Sequence, residues 1–483
     1  MTLHENFEKE EFDMAYKYDI LLRRGTVVDY ATDREELLDV GIADGRIVEI
    51  AADLNPSLAR EVFDLTDQHV VPGIIDIHTH FSNWIGGRYG HKMLALAGVT
   101  TALDMAGPVE GVWDLARDYG AGLNIASIEY VRPEHTVKDA DPGNAELQSL
   151  LDRCLNQGAI GLKLLGGHYP LTSDATARAI ELVNRNKAYI AFHCGTASNG
   201  SNIDGLLEAV ELANGHALHI AHINSYTRGL KRPYMAEAEE AITALVNNPA
   251  IRSESYLSPM NGTSAKCSQG VPESLQTQTN LAMGGFAKTE AGFEEAIRAG
   301  WANINMEEGG RMVLASGERA VAYWRELGTD ATVSFKVNPP EPRIRLAVAK
   351  RPEGRFVVDC ISTDGGGIPR NVIVQMGLAL VKLQALTLKE FVQKTSYNPA
   401  RILGLTQKGH FRPGADADIT VLNLDNQQPV MSLVNGKVIM HKGYVCGKGA
   451  QAITTAAGAA FVKEKGLSPI IVDLAQSGFY QPL

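Results

Sequence analysis

What the chain lacks narrows its class first. It has no Cys-x-x-Cys pair, and its five cysteines (Cys154, Cys194, Cys267, Cys360, Cys446) are odd in number and scattered. They read as reduced core thiols of a cytoplasmic protein. No apolar run approaches the roughly 20 residues that a membrane span requires. There is no basic excess: the net charge is −11 and the pI about 5.7, which argues against a nucleic-acid partner. The first residues carry Glu5, Glu8, Lys9, Glu10 and Glu11 in place of an apolar signal core, so export is not expected. What is present is ordinary for a globular enzyme, with 45% hydrophobic and 21% charged residues. A chain of 483 residues can bury a large core, and its length alone would allow two to four domains.

Residues 18–71 are short apolar or alternating runs broken by turns, with Asp44-Gly45 as a hairpin signal. The same texture returns near 411–446, where Asn435-Gly436 is the turn. One small β-sandwich domain built from both ends is expected, with 1–71 and 403–450 as its two parts. Between them, 72–402 alternates strand-like and helical patterns. Candidate strands lie near 72–80, 99–105, 123–129, 159–165, 188–194, 217–223, 251–257 and 356–364. Helical patterns cover Ala145–Asn156, Asp174–Asn186, Gly205–Asn214 and Met235–Val246. Eight such units predict an α/β fold with a (β/α)8 TIM-like barrel, whose chemistry sits at the C-terminal strand ends. The stretch from about 258 to 355 is too long for one barrel helix. It is expected to be an insertion that serves either as a lid over the mouth or in oligomer contacts. Residues 451–483 form a tail that could strap onto a neighbouring subunit.

The candidate ligands all fall at strand ends. His78 and His80 close the run Pro-Gly-Ile-Ile-Asp-Ile-His-Thr-His, two residues apart and so on one strand face. His193 ends Ala-Tyr-Ile-Ala-Phe-His, and His222 ends Ala-Leu-His-Ile-Ala-His. Imidazoles converging on a barrel mouth need partners, and a divalent metal supplies them. His219, three residues before His222, should face the helix layer, and His216 sits at the strand start, so neither is favoured. Lys163 lies within Ala-Ile-Gly-Leu-Lys-Leu-Leu, where burial would free its amine to add CO2 and form a metal-bridging carbamate. The bland alternative is a lysine snorkelling to the mouth or paired with an acid. Asp364, in Ser-Thr-Asp-Gly-Gly-Gly, ends the last strand. It could bind metal and act as general base, although Asp-Gly is also a common turn pair.

These residues resemble the amidohydrolase superfamily, in its binuclear branch with a carbamylated lysine. The ligand order His-x-His, Lys, His, His, Asp carries the resemblance, with the motifs Pro-Gly-Ile-Ile-Asp-Ile-His-Thr-His and Ala-Gly-Val-Thr-Thr (97–101). It implies two divalent ions, zinc being expected. One would sit on His78, His80 and Asp364 and the other on His193 and His222, with carboxylated Lys163 and a hydroxide bridging both. The stretches His193-Cys-Gly, Ala221-His222-Ile-Asn224 and Thr363-Asp364-Gly365 are similar to isoaspartyl dipeptidase. The insertion, and Gly161 to Pro170 with Tyr169, resemble N-acyl-D-amino-acid deacylases. Hydantoinases and dihydroorotase share the lysine-bridged site.

The implied activity is hydrolysis of a non-peptide C–N bond (amide, imide or ureide) in a small polar substrate, by hydroxide attack on the carbonyl. Deacylase or isoaspartyl-type dipeptidase activity is the alternative. A lactone or phosphoester hydrolase, or a non-catalytic assembly protein on the same scaffold, are further ones. His168, Tyr169, Asn224, Arg228 and Arg370 are the candidates for substrate contact, and a homo-oligomer is expected.

Overall fold

Eight parallel strands follow one another around the centre of the molecule in the computed structural model, which describes residues 16–83, 87–105 and 107–483. The acidic N-terminal stretch lies outside the described residues. The barrel strands are Ile74–His80, Val99–Asp104, Ala121–Ser127 continued by Glu129–Val131, Gly161–Leu165, Tyr189–His193, Leu218–Ile220, Ile251–Tyr256 and Cys360–Ser362. Neighbours pair in parallel, and the circle closes where Gly365 and Gly366 pair with Thr79 and His80. The strands are buried on both faces, as parallel strands under a helical layer must be. The helices present apolar stripes to them: Leu147, Leu150, Leu151 and Cys154 are the buried positions of helix Asn144–Asn156. Thr172 and Asn202 cap the next two helices by accepting from backbone N–H groups of the first turn.

The two chain ends build a single domain around a core of its own, with Ile20, Val27, Val40 and Ile42 packed on Ile419, Val421 and Leu433. Hydrogen bonding runs through nine strands, with Ile419–Asn423 joining His69–Pro72 antiparallel. The sheet folds over its core until its two hairpin turns meet. A Cβ on Gly436 would lie 2.9 Å from the Cα of Gly45, and both residues need positive φ, so glycine is required at this contact.

The insertion is tighter than the sequence implied. Its antiparallel sheet uses Met260–Ser264, Thr332–Lys336, Ala302–Glu308 and Arg311–Ala315, around a core of Phe293, Trp324 and Phe335. The following helix, Pro340–Val348, packs on barrel helix Tyr234–Asn247, where Arg345 grips Glu239 through two bonds of 2.6 and 3.1 Å. That helix is a barrel element, so 340–355 returns to the barrel. The sheet is rooted beside the eighth strand, where Met260 O accepts from Arg370 at 3.2 Å. Its far hairpin reaches the loop after the first strand through Arg88 and Glu307 at 3.0 Å.

The tail straps onto its own barrel. Gly449–Thr454 pairs in parallel with Ala121–Ser127, and Ser468–Ile471 pairs beyond it. Strand three therefore pairs with the tail in its lower half and with strand four in its upper half. Ring stacking of Phe479 on Tyr189 at 4.5 Å and bonds from Arg252 to the carbonyls of Gly478 (2.7 Å) and Gln481 (2.9 Å) hold the end across the barrel floor. Cys154, Cys194 and Cys360 are buried and unbridged, whereas Cys446 is exposed.

Candidate metal centre

His78 and His80 leave the first strand on one face, their rings edge to face at 5.1 Å. Nε2 of His80 lies 2.9 Å, and that of His78 3.3 Å, from Asp364 Oδ1. These three residues form a group whose ligand atoms lie within 4.8 Å of one another. Nδ1 of His193 and Nε2 of His222 face each other at 3.1 Å, and the His222 ring stacks on His78 at 5.1 Å. A group of three ligands and a group of two, from four strands, thus share one mouth.

Strand alternation places only some of them. The sixth strand ends at Ile220, and His222 has φ +38°; Asp364 has φ +50°. Both sit in the left-handed region that non-glycine residues seldom adopt, a pattern that recurs at functional sites. His219, still on the strand, does not face the helix layer as expected: it is buried inside the barrel, bonded to the Tyr189 hydroxyl, with its Nε2 3.8 Å from Glu254 Oε1.

Lys163 is 1% exposed. Its Nζ has Met105 Sδ at 3.4 Å as its hydrogen-bond partner, and no ion pair to it exists among the described residues. Burial lowers its pKa to about 8, despite the opposing pull of Glu254 and Asp364. The amine is therefore sealed in the barrel with only a thioether to receive its protons. Asp364 is 4% exposed; burial would raise its pKa, but Arg370 and the histidines hold it well below the usual carboxylate range.

Arg370 has a different task from the expected substrate grip. Its Nη2 pairs with Asp364 Oδ2 at 2.8 Å, while Nε and Nη1 donate to the carbonyls of Asp364 and Met260. His168 is exposed, with its ring edge-on to His193 at 5.1 Å. Tyr169 stacks under Arg132, whose guanidinium lies 4.1 Å from the ring centre. Asn224 is buried, its Oδ1 accepting from Tyr256 N at 3.0 Å. Arg228 is also buried, among Ser225, Tyr256, Asn261 and Asn338.

Sequence reasoning missed Glu254. On the seventh strand and fully buried, it accepts from His78 Nδ1 and from the His222 backbone N–H, each at 2.5 Å, and from the Ser362 hydroxyl. One carboxylate thus ties strands one, six and eight together and fixes His78 with its Nε2 lone pair aimed at the mouth. Burial lowers the His78 pKa to about 4, so the ring is a neutral donor. The available signal was an acid in the middle of the buried run Ile-Arg-Ser-Glu-Ser-Tyr (251–256). Asp76 plays a parallel part at the other side, accepting from the His78 and Thr363 backbones at 3.2 Å and the Thr363 hydroxyl at 2.6 Å; burial raises its pKa to about 7.

The donor set fits divalent metal. Nδ1 of His80 and Nδ1 of His222 are buried without hydrogen-bond partners, so each ring is held only at its Nε2 edge, facing Asp364 and His193, where a metal ion would bind. Neutral imidazole with carboxylate suits zinc and its neighbours among the transition metals.

Similarity to known proteins agrees with this geometry. The Amidohydrolase family matches residues 345–449. A dihydroorotase of Streptococcus pneumoniae is 23% identical over 417 residues, covering 84% of this chain and 90% of that protein. A D-hydantoinase of Ralstonia pickettii is 24% identical over 440 residues, covering 88% and 89%. The fold matches the N-acyl-D-glutamate deacylase of Bordetella bronchiseptica, solved with zinc and a phosphonate mimic of the tetrahedral intermediate, with TM-score 0.65 and 16% identity over 90% of this chain and 99% of that one.

Proposed function

We propose that this chain, a member of the amidohydrolase superfamily, is a metal-dependent hydrolase of a non-peptide C–N bond in a small polar amide, imide or ureide. The observation that carries it is the convergence of Nε2 of His78 and His80 with Asp364 Oδ1 beside the facing nitrogens of His193 and His222. Two divalent ions held there would acidify a water and polarise a carbonyl.

His78, His80 and Asp364 would hold one ion, and His193 and His222 the other. The second pair is short of ligands. Lys163, buried with no oxygen acceptor, would complete it if its amine carried CO2 as a carbamate. Asp364 Oδ1, facing both first-strand imidazoles, takes the proton from the attacking water and returns it to the departing nitrogen. Arg370 keeps Oδ2 engaged, so the proton is handled at Oδ1. Glu254 holds His78 in the tautomer that presents Nε2.

Elemental analysis of protein expressed with supplied zinc should find about two ions per chain, and one or none would refute the paired site. Lys163→Ala should lose one ion and most activity, with partial recovery in short carboxylic acids that fill the gap. Full metal content and activity in that variant would remove the carbamate. Activity on dihydropyrimidines, hydantoins, cyclic imides, N-acyl-D-amino acids and β-aspartyl dipeptides tests the bond class. Turnover of a lactone or phosphoester alone would overturn it. A cytoplasmic homo-oligomer is the proposed working state, tested by sedimentation.

A further inference from the structure

The fifth-strand histidine differs from its three neighbours at the mouth in what stands behind its ring. His78 is held at Nδ1 by the Glu254 carboxylate, whereas Nδ1 of His80 and Nδ1 of His222 have no partner. His193 turns Nδ1 toward His222 Nε2 at 3.1 Å, and its other nitrogen, Nε2, meets the Ser201 hydroxyl at 2.8 Å. A carboxylate thus backs one candidate ligand and a hydroxyl backs another.

The loop after the fifth strand is built to aim that hydroxyl. Thr196 ties its start: the Thr196 Oγ1 accepts from the backbone N–H groups of Ser198 (3.1 Å) and Asn199 (3.2 Å) and donates to Glu208 Oε2 at 2.8 Å. Glu208 belongs to the next helix, Ile203–Ala213, and also accepts from the Ser173 hydroxyl at 2.6 Å. Asn202 caps that helix, its Oδ1 accepting from Asp204 N at 2.9 Å, while its own N–H donates to Gly200 O at 2.9 Å. Ser201 is therefore clamped between two fixed neighbours. Beside the imidazole, a Cβ on Gly167 would lie 2.0 Å from His193 Nε2, so glycine is required for the ring to sit there.

Hydrogen-bond accounting then places the proton. A neutral imidazole carries one N–H, and a buried N–H without an acceptor is rarer than an idle acceptor. Because His222 Nδ1 is unpartnered, the arrangement that leaves no donor idle has His222 Nε2–H donating to His193 Nδ1 and His193 Nε2–H donating to Ser201 Oγ. Turning the ring about its Cβ–Cγ bond would put Cδ2 where Nδ1 belongs and lose the Ser201 bond.

We propose that Ser201 is a positioning residue for the ion on His193 and His222: its hydroxyl keeps His193 in the Nε2–H form and in the ring orientation that presents Nδ1 to the metal. This rests on the proposed paired metal site and adds to it a residue outside the ligand set.

The test is titration of cobalt into the metal-stripped full chain, followed by elemental analysis and by the visible absorption of the bound ion. Ser201→Ala should weaken one of two uptake steps about 10–100-fold and leave the other at its wild-type affinity. Ser201→Thr, which keeps the hydroxyl, should recover most of that loss. Equal weakening of both steps in Ser201→Ala, or none, overturns the proposal, and so does a threonine variant as weak as the alanine one. Nitrogen NMR of the metal-free chain, carrying isotope-labelled histidine, reads the tautomer without any ion. His193 in the Nε2–H form in the wild type, partly converted to Nδ1–H in Ser201→Ala, supports the proposal; an Nδ1–H form in the wild type, or no change in the variant, refutes it. If the wild type takes up fewer than two ions, the paired-site reading fails, and the NMR comparison still decides whether Ser201 sets the His193 proton.

Discussion

Two buried lysines of this barrel face opposite ends, and their surroundings differ in kind. Lys163, near the mouth, finds a thioether. Lys394, near the floor, donates to the Val358 carbonyl and lies 4.1 Å from the centre of the Phe356 ring. Burial lowers both pKa values to about 8. The floor settles its other charges as well. Lys408 pairs with Asp418 at 2.7 Å and Asp416 at 2.9 Å, and Arg252 is saturated by carbonyls of the tail and of Pro249. At the mouth, Nδ1 of His80, Nδ1 of His222 and Nδ2 of Asn224 have no partner. Both lysines bear a similar desolvation cost, and only Lys394 offsets it with an oxygen acceptor. Buried atoms without partners occur elsewhere too, as at Asn124 Oδ1 and Ser253 Oγ, but at the mouth they fall on the candidate metal ligands themselves.

The largest effect expected from breaking this contrast is at Asp364. Asp364→Asn removes the proton acceptor and should cut kcat about 10²–10⁴-fold, read by steady-state kinetics on the zinc-loaded enzyme. At the floor, Lys408→Met leaves Asp416 and Asp418 without their buried cation. It should cost about 3–5 kcal/mol in urea unfolding while kcat/KM per folded molecule stays at the wild-type value. A loss of kcat/KM there would show that the two ends are coupled.

Lys394 sharpens the comparison through pH. Its pKa is about 8 in the folded chain, against an ordinary value of 10.5. Between those values the unfolded chain binds the extra proton. Stability should therefore rise as pH goes from 8 to 10.5, by at most about 3 kcal/mol, and the cost should be fully present below pH 8. Lys394→Met should show a smaller rise than the wild type across the same range, keeping only the share that Lys163 contributes in the same way. Glu254→Gln should lower metal affinity or activity about 10–100-fold, measured by titrating the ion back into stripped protein, because His78 loses its fixed tautomer. The smallest effect belongs to Arg345→Ala. This exposed pair with Glu239 should change stability by less than about 0.5 kcal/mol.

Much of this was legible in the chain. The eight strands appear near their expected positions because most are short apolar runs bounded by turn residues, the polar seventh, Ile-Arg-Ser-Glu-Ser-Tyr, being the exception, and the two Gly-containing hairpins form as Asp44-Gly45 and Asn435-Gly436 predict. His78 and His80 were readable as neighbours because a strand repeats every two residues. Glu254 was not, since a single acid in a buried strand has no sequence partner; His78, His222 and Ser362 lie 176, 32 and 108 residues away. The partner of Arg370 was hidden for the same reason. Its pairing with Asp364 depends on a turn whose left-handed residue gives no local pattern.

The sequence by itself determined the alternation of strands and helices, the identity and order of the candidate ligands, and the assembly of the β-domain from both ends. These are local or periodic properties, written in hydrophobic spacing and in residue types with few other uses. Tertiary structure alone decided which charges are neutralised and which are left open: that Arg370 is spent on Asp364, that Glu254 orients His78, that Arg228 has only neutral neighbours, and that the tail fills the barrel wall between strands three and four. Electrostatic balance depends on distances of a few ångströms between residues far apart in the chain, and barrel closure sets those distances all at once.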